Sequence, residues 1–174
     1  MNLAGQTALV TGGSKGIGRA ICLALAKEKA NIIIAARNDS EIKETMDKLK
    51  ATGSKALAIQ ADVRNEDDVK NLISRTIDEY GRLDILINNA GVAHKQRLEE
   101  TTIEEYNETM DTNLKGVFLC TKYAIPHLKN SKNGKIIDIS SVAGLHGIPE
   151  FSVYRASKFG VNGITESIAS ELED

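Results

Sequence analysis

Short apolar runs alternate along this chain with stretches of helical spacing, and that alternation restricts the fold more than any other feature. Thr7–Thr11 is an apolar run that stops at two glycines. Ile17, Ile21, Ala24 and Leu25 then mark a helix over 17–29. Asn31–Ala36 is a continuous Ile/Ala run, the pattern of a strand covered on both faces. Ile42, Met46 and Leu49 return to helical spacing, with Gly53 as a stop signal. Ala56–Ala61 reads as a third strand, and Val69, Leu72, Ile73, Ile77 and Tyr80 as a helix face ended by Gly81. Asp84–Asn88 is a fourth strand and Lys135–Ser140 a fifth. Between them Thr102 and Glu105 form a capping-box pair for one long helix, Thr102–Leu128, carrying Tyr106, Met110, Leu114, Val117 and Phe118. A last helix begins near Val153 and runs to the chain end. Strands alternating with helices imply right-handed βαβ units and a parallel sheet. The expected fold is α/β, a doubly wound parallel sheet of Rossmann type in three α/β/α layers.

Composition fits that expectation and excludes others. With 174 residues, 41% hydrophobic and 26% charged, the chain reads as a single globular domain over 1–174, and not as a disordered, fibrous or collagen-like sequence. The formal net charge of −2 gives no reason to expect nucleic acid or an anionic membrane as partner. Aromatics at 4%, without Trp, argue against a stacking platform for single strands. A chain of this length buries roughly 70% of its unfolded surface, so no staple is needed. Cys22 and Cys120 are far apart, each in a helical pattern, and are expected as buried thiols in a reducing compartment. No basic stretch leads into a long apolar run at the N-terminus, and no segment reaches the ~18 apolar residues of a membrane span. The expected location is the cytoplasm.

Ligands of such sheets bind beyond the carboxyl ends of the strands, where the strand order reverses. The loop Thr11-Gly12-Gly13-Ser14-Lys15-Gly16-Ile17-Gly18 lies at such an end. Its glycines let backbone N–H groups approach an anion, and the helix that follows offers unpaired donors to a pyrophosphate. The spacing is Gly-x-x-x-Gly-x-Gly, unlike the commoner dinucleotide fingerprint, and Arg19-Ala20 after Gly18 excludes a phosphate loop of the Gly-Lys-Ser/Thr kind. An acid at the end of the second strand would bind the ribose 2′-hydroxyl of NAD. Here Ala36 holds that place and Arg37-Asn38 follow. A guanidinium can fork onto a 2′-phosphate, and Lys15 adds a second charge, so NADP(H) is the expected cofactor.

Tyr154 and Lys158, four apart, share one face at the start of the last helix. A free phenol with a pKa of ~10 is a poor base near neutral pH, and a nearby ammonium favours the phenolate. Ser141 follows the fifth strand and Asn88-Asn89-Ala90-Gly91 ends the fourth, both at the ligand edge.

With these motifs, and with Asp62-Val63 after the third strand and Asn113 in the long helix, the chain from Gln6 onward resembles the short-chain dehydrogenase/reductases. The resemblance implies that Tyr154 is the general acid in carbonyl reduction and the base in alcohol oxidation. Lys158 would hold the nicotinamide ribose and assist the phenol. Ser141 would bond the substrate oxygen, and Asn113 would position a water. Gly12, Ser14, Lys15, Gly16, Ile17 and Gly18 would hold the pyrophosphate side, with Arg37 and Asn38 at the ribose. Asp62 and Val63 would flank the adenine, and Asn89, Ala90 and Gly91 would lie against the cofactor. The implied substrate is a small carbonyl or alcohol, 3-oxoacyl thioesters among them, and the implied assembly is a homodimer or homotetramer through the long and last helices. No metal is expected, because His94, His127 and His146 share no ligand spacing. Glu99, Glu100, Glu104, Glu105 and Glu108 read as a solvated face, and Arg155 as facing solvent.

The family normally continues past this point with a sixth strand and a segment over the substrate. The expected fold is therefore truncated after the fifth strand and the helix that follows it, with the fifth strand's hydrophobic edge exposed. That leaves a second reading, a nucleotide-binding or assembly module without efficient turnover.

Overall fold

The computed structural model describes residues 2–173. Its five strands are β1 (Thr7–Thr11), β2 (Asn31–Ala36), β3 (Ala56–Gln60), β4 (Ile85–Asn88) and β5 (Lys135–Asp138). All pair in parallel, in the order β3-β2-β1-β4-β5. The chain winds outward from β1 to β3, then returns to the other side of β1 for β4 and β5. The reversal falls between β1 and β4, which puts the glycine loop beside the Asn88–Gly91 segment.

Six α-helices cover the sheet: α1 (Gly16–Lys27), α2 (Asp39–Lys50), α3 (Glu66–Tyr80), α4 (Ile103–Met110), α5 (Gly116–Leu128) and α6 (Ser152–Glu171). Strand side chains alternate between the faces, as the period of two requires. Ala8, Val10, Ile32, Ile34, Ile85 and Ile87 pack with Cys22 and Ala26 of α1 and Leu49 of α2. Leu9, Ile33, Ile59 and Leu86 pack on the opposite face with Val69 and Leu72 of α3 and Leu119 and Ala124 of α5. Both faces are buried, so β1 and β2 read as near-continuous apolar runs.

The element ends differ slightly from the sequence expectation. β3 and β5 stop at Gln60 and Asp138, and β4 starts one residue after Asp84. The capping box at Thr102 is present: its hydroxyl accepts from the Glu105 N–H at 3.1 Å, and its own N–H donates to Glu105 Oε2 at 3.0 Å. The single helix expected over Thr102–Leu128 is instead α4 and α5 joined by a π-helical turn, Asp111–Lys115. A π turn breaks the 3.6-residue register, and such insertions recur at functional sites. Here it buries Thr112 and Asn113.

Asp84, just before β4, ties the amino end of the sheet together. It is 1% exposed. Its carboxylate accepts from the Thr7 N–H at 2.8 Å, Arg82 Nε at 2.7 Å and Ser131 Oγ at 2.5 Å. Among the described residues β5 pairs only with β4, at the sheet edge. Ile136 faces the core there, while Ile137 is 43% exposed.

Candidate active site

The carboxyl ends of β1 and β4 are joined by side chains. Thr11 Oγ1 accepts from the N–H groups of Asn89 (3.0 Å) and Ala90 (3.1 Å). Asn89 Nδ2 donates back to the carbonyls of Thr11 (2.9 Å) and Gly12 (3.1 Å). Gly12 has φ +62°, and a Cβ on Gly18 would come within 2.2 Å of the Gly12 carbonyl oxygen. Only hydrogen fits at either position, and the loop therefore keeps its backbone open toward the groove.

That groove encloses about 850 Å³. Gly12, Ser14, Lys15, Gly16, Ile17, Gly18, Arg37, Asn38, Asp62, Val63, Asn89, Ala90 and Gly91 all line it. The structure thus brings together every residue expected at the cofactor except Tyr154 and Lys158, which lie beyond the groove's lining. Thr112 also lines it, with a buried hydroxyl that has no protein partner. A buried hydroxyl left unpaired is costly unless a ligand or water meets it. The glycine cradle and this orphaned hydroxyl fit a polar ligand laid along β1 and β4.

The outer end of the groove is rich in charge. Arg37 is half exposed and stands 4.0 Å from Asp62 Oδ2. Arg64 clasps Asp62 more tightly, through Nε at 2.9 Å and Nη2 at 2.6 Å. Burial pushes the Asp62 carboxyl up, but hydrogen bonds from Arg64 and the Arg64 and Arg37 charges hold it below the usual carboxylate range. Asn38 caps α2, its side-chain oxygen accepting from the Glu41 N–H at 3.1 Å. Three contributors escaped the sequence reading. Glu41 lines the groove and binds Lys15 Nζ at 2.8 Å. Arg64 is the partner of Asp62. Arg19 donates through Nη2 to the Ser14 carbonyl at 2.8 Å and so braces the loop from behind. The spacing Asn38-x-x-Glu41 is a helix-start signal that could have drawn attention to Glu41.

At the inner end, Lys158 is 6% exposed. Its Nζ donates to the Ile139 carbonyl at 2.7 Å and lies 5.8 Å from the centroid of the Tyr154 ring. Burial lowers the Lys158 pKa, and the charge of Asp138 opposes that shift. Tyr154 stands in the first turn of α6, edge-on to Phe151 with centroids 6.1 Å apart. Ser141 opens a short turn after β5 and accepts from the Ala143 N–H at 3.1 Å, so its hydroxyl hydrogen is left to point elsewhere. Asn113 is fully buried. Its Nδ2 donates to the Val92 carbonyl (2.9 Å) and to Ser157 Oγ (3.0 Å), and its Oδ1 accepts from the Val92 N–H (2.8 Å). Both amide hydrogens are committed to clamping the β4–α4 connection onto α6. The water expected here would need the remaining lone pair of Oδ1.

Arg155 corrects one expectation. It does not face solvent: it is half buried, donates to the Ala143 carbonyl at 3.1 Å and lies over the Phe159 ring at 5.2 Å. It holds the β5–α6 loop to the helix. Part of the acidic stretch is also engaged, since Glu105 caps α4 and Glu108 Oε2 lies 3.1 Å from His94 Nε2. Cys22 and Cys120 are buried free thiols, and burial pushes both up to about 12. Among the described residues no cluster of His, Cys, Asp or Glu is arranged to hold a metal, and no helix is long and apolar enough to cross a membrane.

A doubly wound sheet with a glycine cradle at its switch point and a Tyr–Lys pair beside it defines a dinucleotide-dependent oxidoreductase class. Residues 6–174 match the short chain dehydrogenase family. The chain belongs to the short-chain dehydrogenase/reductase family. It is 42% identical over 171 residues to a 3-oxoacyl-[acyl-carrier-protein] reductase of Synechocystis, covering 98% of this chain and 69% of that one. It is 38% identical over 174 residues to an uncharacterized oxidoreductase of Thermotoga maritima, covering 68% of it. Among solved structures it is similar to a metagenomic short-chain oxidoreductase in complex with NADP, with a TM-score of 0.93 and 34% identity, covering 98% of this chain and 77% of that one. A dehydrogenase/reductase from Sinorhizobium meliloti 1021 has a TM-score of 0.94 and 38% identity over 98% of this chain and 68% of its own. The chain thus spans about two thirds of the length of these curated relatives.

Proposed function

We propose that this chain binds NADP(H) in the β1–β4 groove and interconverts a carbonyl and a secondary alcohol beside Tyr154. The observation that carries the reading is the groove itself, with its glycine cradle at one end and a buried lysine next to a phenol just past the other. NADP(H), when bound, supplies or accepts the hydride. The glycine loop and the amino end of α1 offer backbone donors to the pyrophosphate. Asp62 and Val63 flank the adenine, with Arg37 and Lys15 as cations for a 2′-phosphate.

In the reducing direction the Tyr154 hydroxyl gives its proton to the substrate oxygen. Ser141 donates a hydrogen bond to the same oxygen and fixes its direction. Lys158, held by the Ile139 carbonyl, places a positive charge beside the ring, where it stabilises negative charge developing on the phenolic oxygen. Asn113 keeps Val92 and α6 in register, so that the wall of the groove and the Tyr154 turn cannot drift apart. The relatives' name supports a 3-oxoacyl thioester as the substrate class. The free thiols of Cys22 and Cys120 fit a reducing compartment such as the cytoplasm. A homodimer or homotetramer is supported by an apolar groove between α5 and α6 that Phe118, Ile125, Ile164 and Ile168 line.

The test is NADPH oxidation with a panel of 3-oxoacyl thioesters and simple ketones. Tyr154→Phe should lower turnover by about 10²–10⁴-fold, the range of a general acid, while NADPH affinity stays within about twofold. A Tyr154→Phe chain that kept most of its activity would remove the assigned mechanism. Sedimentation of the chain tests the assembly, and a single monomeric species would count against it.

A further inference from the structure

The outer end of the groove holds a carboxylate to which neither the fold nor the proposed mechanism gives a role. Glu41 sits in the first turn of α2 and accepts through Oε1 from Lys15 Nζ at 2.8 Å. Its Oε2 accepts from the Ser14 hydroxyl at 3.1 Å. Both partners belong to the glycine loop, so Glu41 ties that loop to α2 across the rim of the groove. The Lys15 side chain is 72% exposed and that of Glu41 28%, so the lysine depends on this partner for its position. The other cations of this corner are also matched: Arg37 and Arg64 by Asp62, and Arg19 by Glu44. Before a ligand arrives, the four cations of the corner therefore share three carboxylates, so most of its positive charge is engaged and only Arg37, at 4.0 Å from a carboxylate that Arg64 already clasps, is loosely held.

A 2′-phosphate carries a charge of about −1.5 to −2 near neutral pH. To use Lys15 it has to break or share the bond to Glu41, and it then stands beside a carboxylate of like charge. A ribose 2′-hydroxyl meets no such opposition, since it is neutral and can donate to that carboxylate. Hydrogen bonding from Lys15 holds the Glu41 carboxyl below the usual range, so it stays ionised where the enzyme would work. We propose that Glu41 is a specificity-determining residue that moderates the preference for 2′-phosphorylated dinucleotides, because it occupies Lys15 and presents a like charge to the phosphate. The proposal rests on the NADP(H) reading above.

The experiment is calorimetric titration of the intact chain with NADPH and with NADH, at low and at physiological ionic strength. Gln keeps the length of Glu and can still accept from the Ser14 hydroxyl, so Glu41→Gln removes the charge and leaves the tie between loop and helix. The ratio of NADPH to NADH affinity should rise about fivefold, the size expected for one like charge at a solvated rim. The gain should shrink as salt screens it. A ratio unchanged within about twofold, or a fall, would overturn the proposal. Lys15→Met reads the same ion pair from the other side. Lys15→Met leaves the Glu41 carboxylate without its counter-ion, so Glu41→Gln should raise the ratio of NADPH to NADH affinity at least as much in that background as in the wild type. A ratio that Glu41→Gln left unchanged in the Lys15→Met background would show that the carboxylate does not face the phosphate, and would also overturn the proposal. If the wild-type chain has no preference for NADPH while Glu41→Gln creates one, the cofactor reading fails and the role of Glu41 stands.

Discussion

Gly18→Ala tests how the glycine loop is built. A Cβ at this position would lie 2.2 Å from the Gly12 carbonyl oxygen and 2.5 Å from Asn89 Nδ2. Carbon and carbonyl oxygen approach to about 3.3 Å at best, so the two must part by about 1 Å. Gly12 cannot yield freely. It lies at φ +62°, with Ala90 Cα 2.9 Å from where its own Cβ would be, and its carbonyl accepts from Asn89. Overpacking of this kind costs about 1–3 kcal/mol. The strained Asn89 hydrogen bond adds about 1 kcal/mol. The better helix propensity of Ala in α1 returns about 1 kcal/mol. The net loss is about 2 kcal/mol, or about 4–8 °C in Tm for a chain of this size. NADPH affinity should fall with it by at least about tenfold, because the displaced carbonyl carries the loop's N–H groups along. Urea unfolding and calorimetric titration measure the two effects. Gly16→Ala is the comparison: its Cβ meets nothing within 4 Å, so only the φ of +52° opposes it, at about 1 kcal/mol. If Gly18→Ala proved no more damaging than Gly16→Ala, crowding against Gly12 would be the wrong explanation.

Three further outcomes are expected. Asp84→Asn should cost about 2–3 kcal/mol in urea unfolding, since it leaves the Arg82 guanidinium without its charged partner. Burial alone would raise the Asp84 carboxyl, but hydrogen bonds from Arg82, Ser131 and the Thr7 N–H hold it below the usual range. Its stabilisation is therefore full above the unfolded value of about 3.9 and lost as pH falls through the lower folded value. Asp84→Asn should flatten the acid limb of the stability curve below about pH 4, and an unchanged limb would discount this carboxylate. Asn113→Ala should destabilise the chain by about 1–3 kcal/mol, because both main-chain groups of part-buried Val92 and the buried Ser157 hydroxyl lose their Asn113 partner; thermal melting gives the number. Cys22 and Cys120 should resist a thiol reagent at pH 8 in the folded chain and react on unfolding, since burial pushes both thiols up to about 12.

The periodicity of the apolar residues was enough for the five strands and the two helix layers, because burial on both sheet faces writes itself into local sequence. Asn31–Ala36 is apolar at every position after the first for that reason, and β2 occupies that span. The glycine loop was legible for a similar reason: the backbone at Gly12 and Gly18 tolerates only hydrogen, whatever lies elsewhere in the chain. Tyr154 and Lys158 were legible because four residues on a helix is a distance that sequence alone determines.

What the sequence could not determine was which charges meet. Lys15 and Arg37 read as free cations for a phosphate, yet Glu41 lies 26 residues from Lys15 and binds it, while Asp62 draws in both Arg37 and Arg64. Arg155 read as solvated, but the loop after β5 folds back far enough for it to reach the Ala143 carbonyl. The single long helix became two with a π turn between them, since one extra residue in a helical register leaves the apolar pattern nearly unchanged while it turns Asn113 inward toward Val92 and Ser157. Hydrophobic pattern and turn chemistry are properties of neighbouring residues, so sequence carries them. Ion pairs and buried polar clamps depend on the through-space approach of distant segments, and only the packed sheet and its helices decide that.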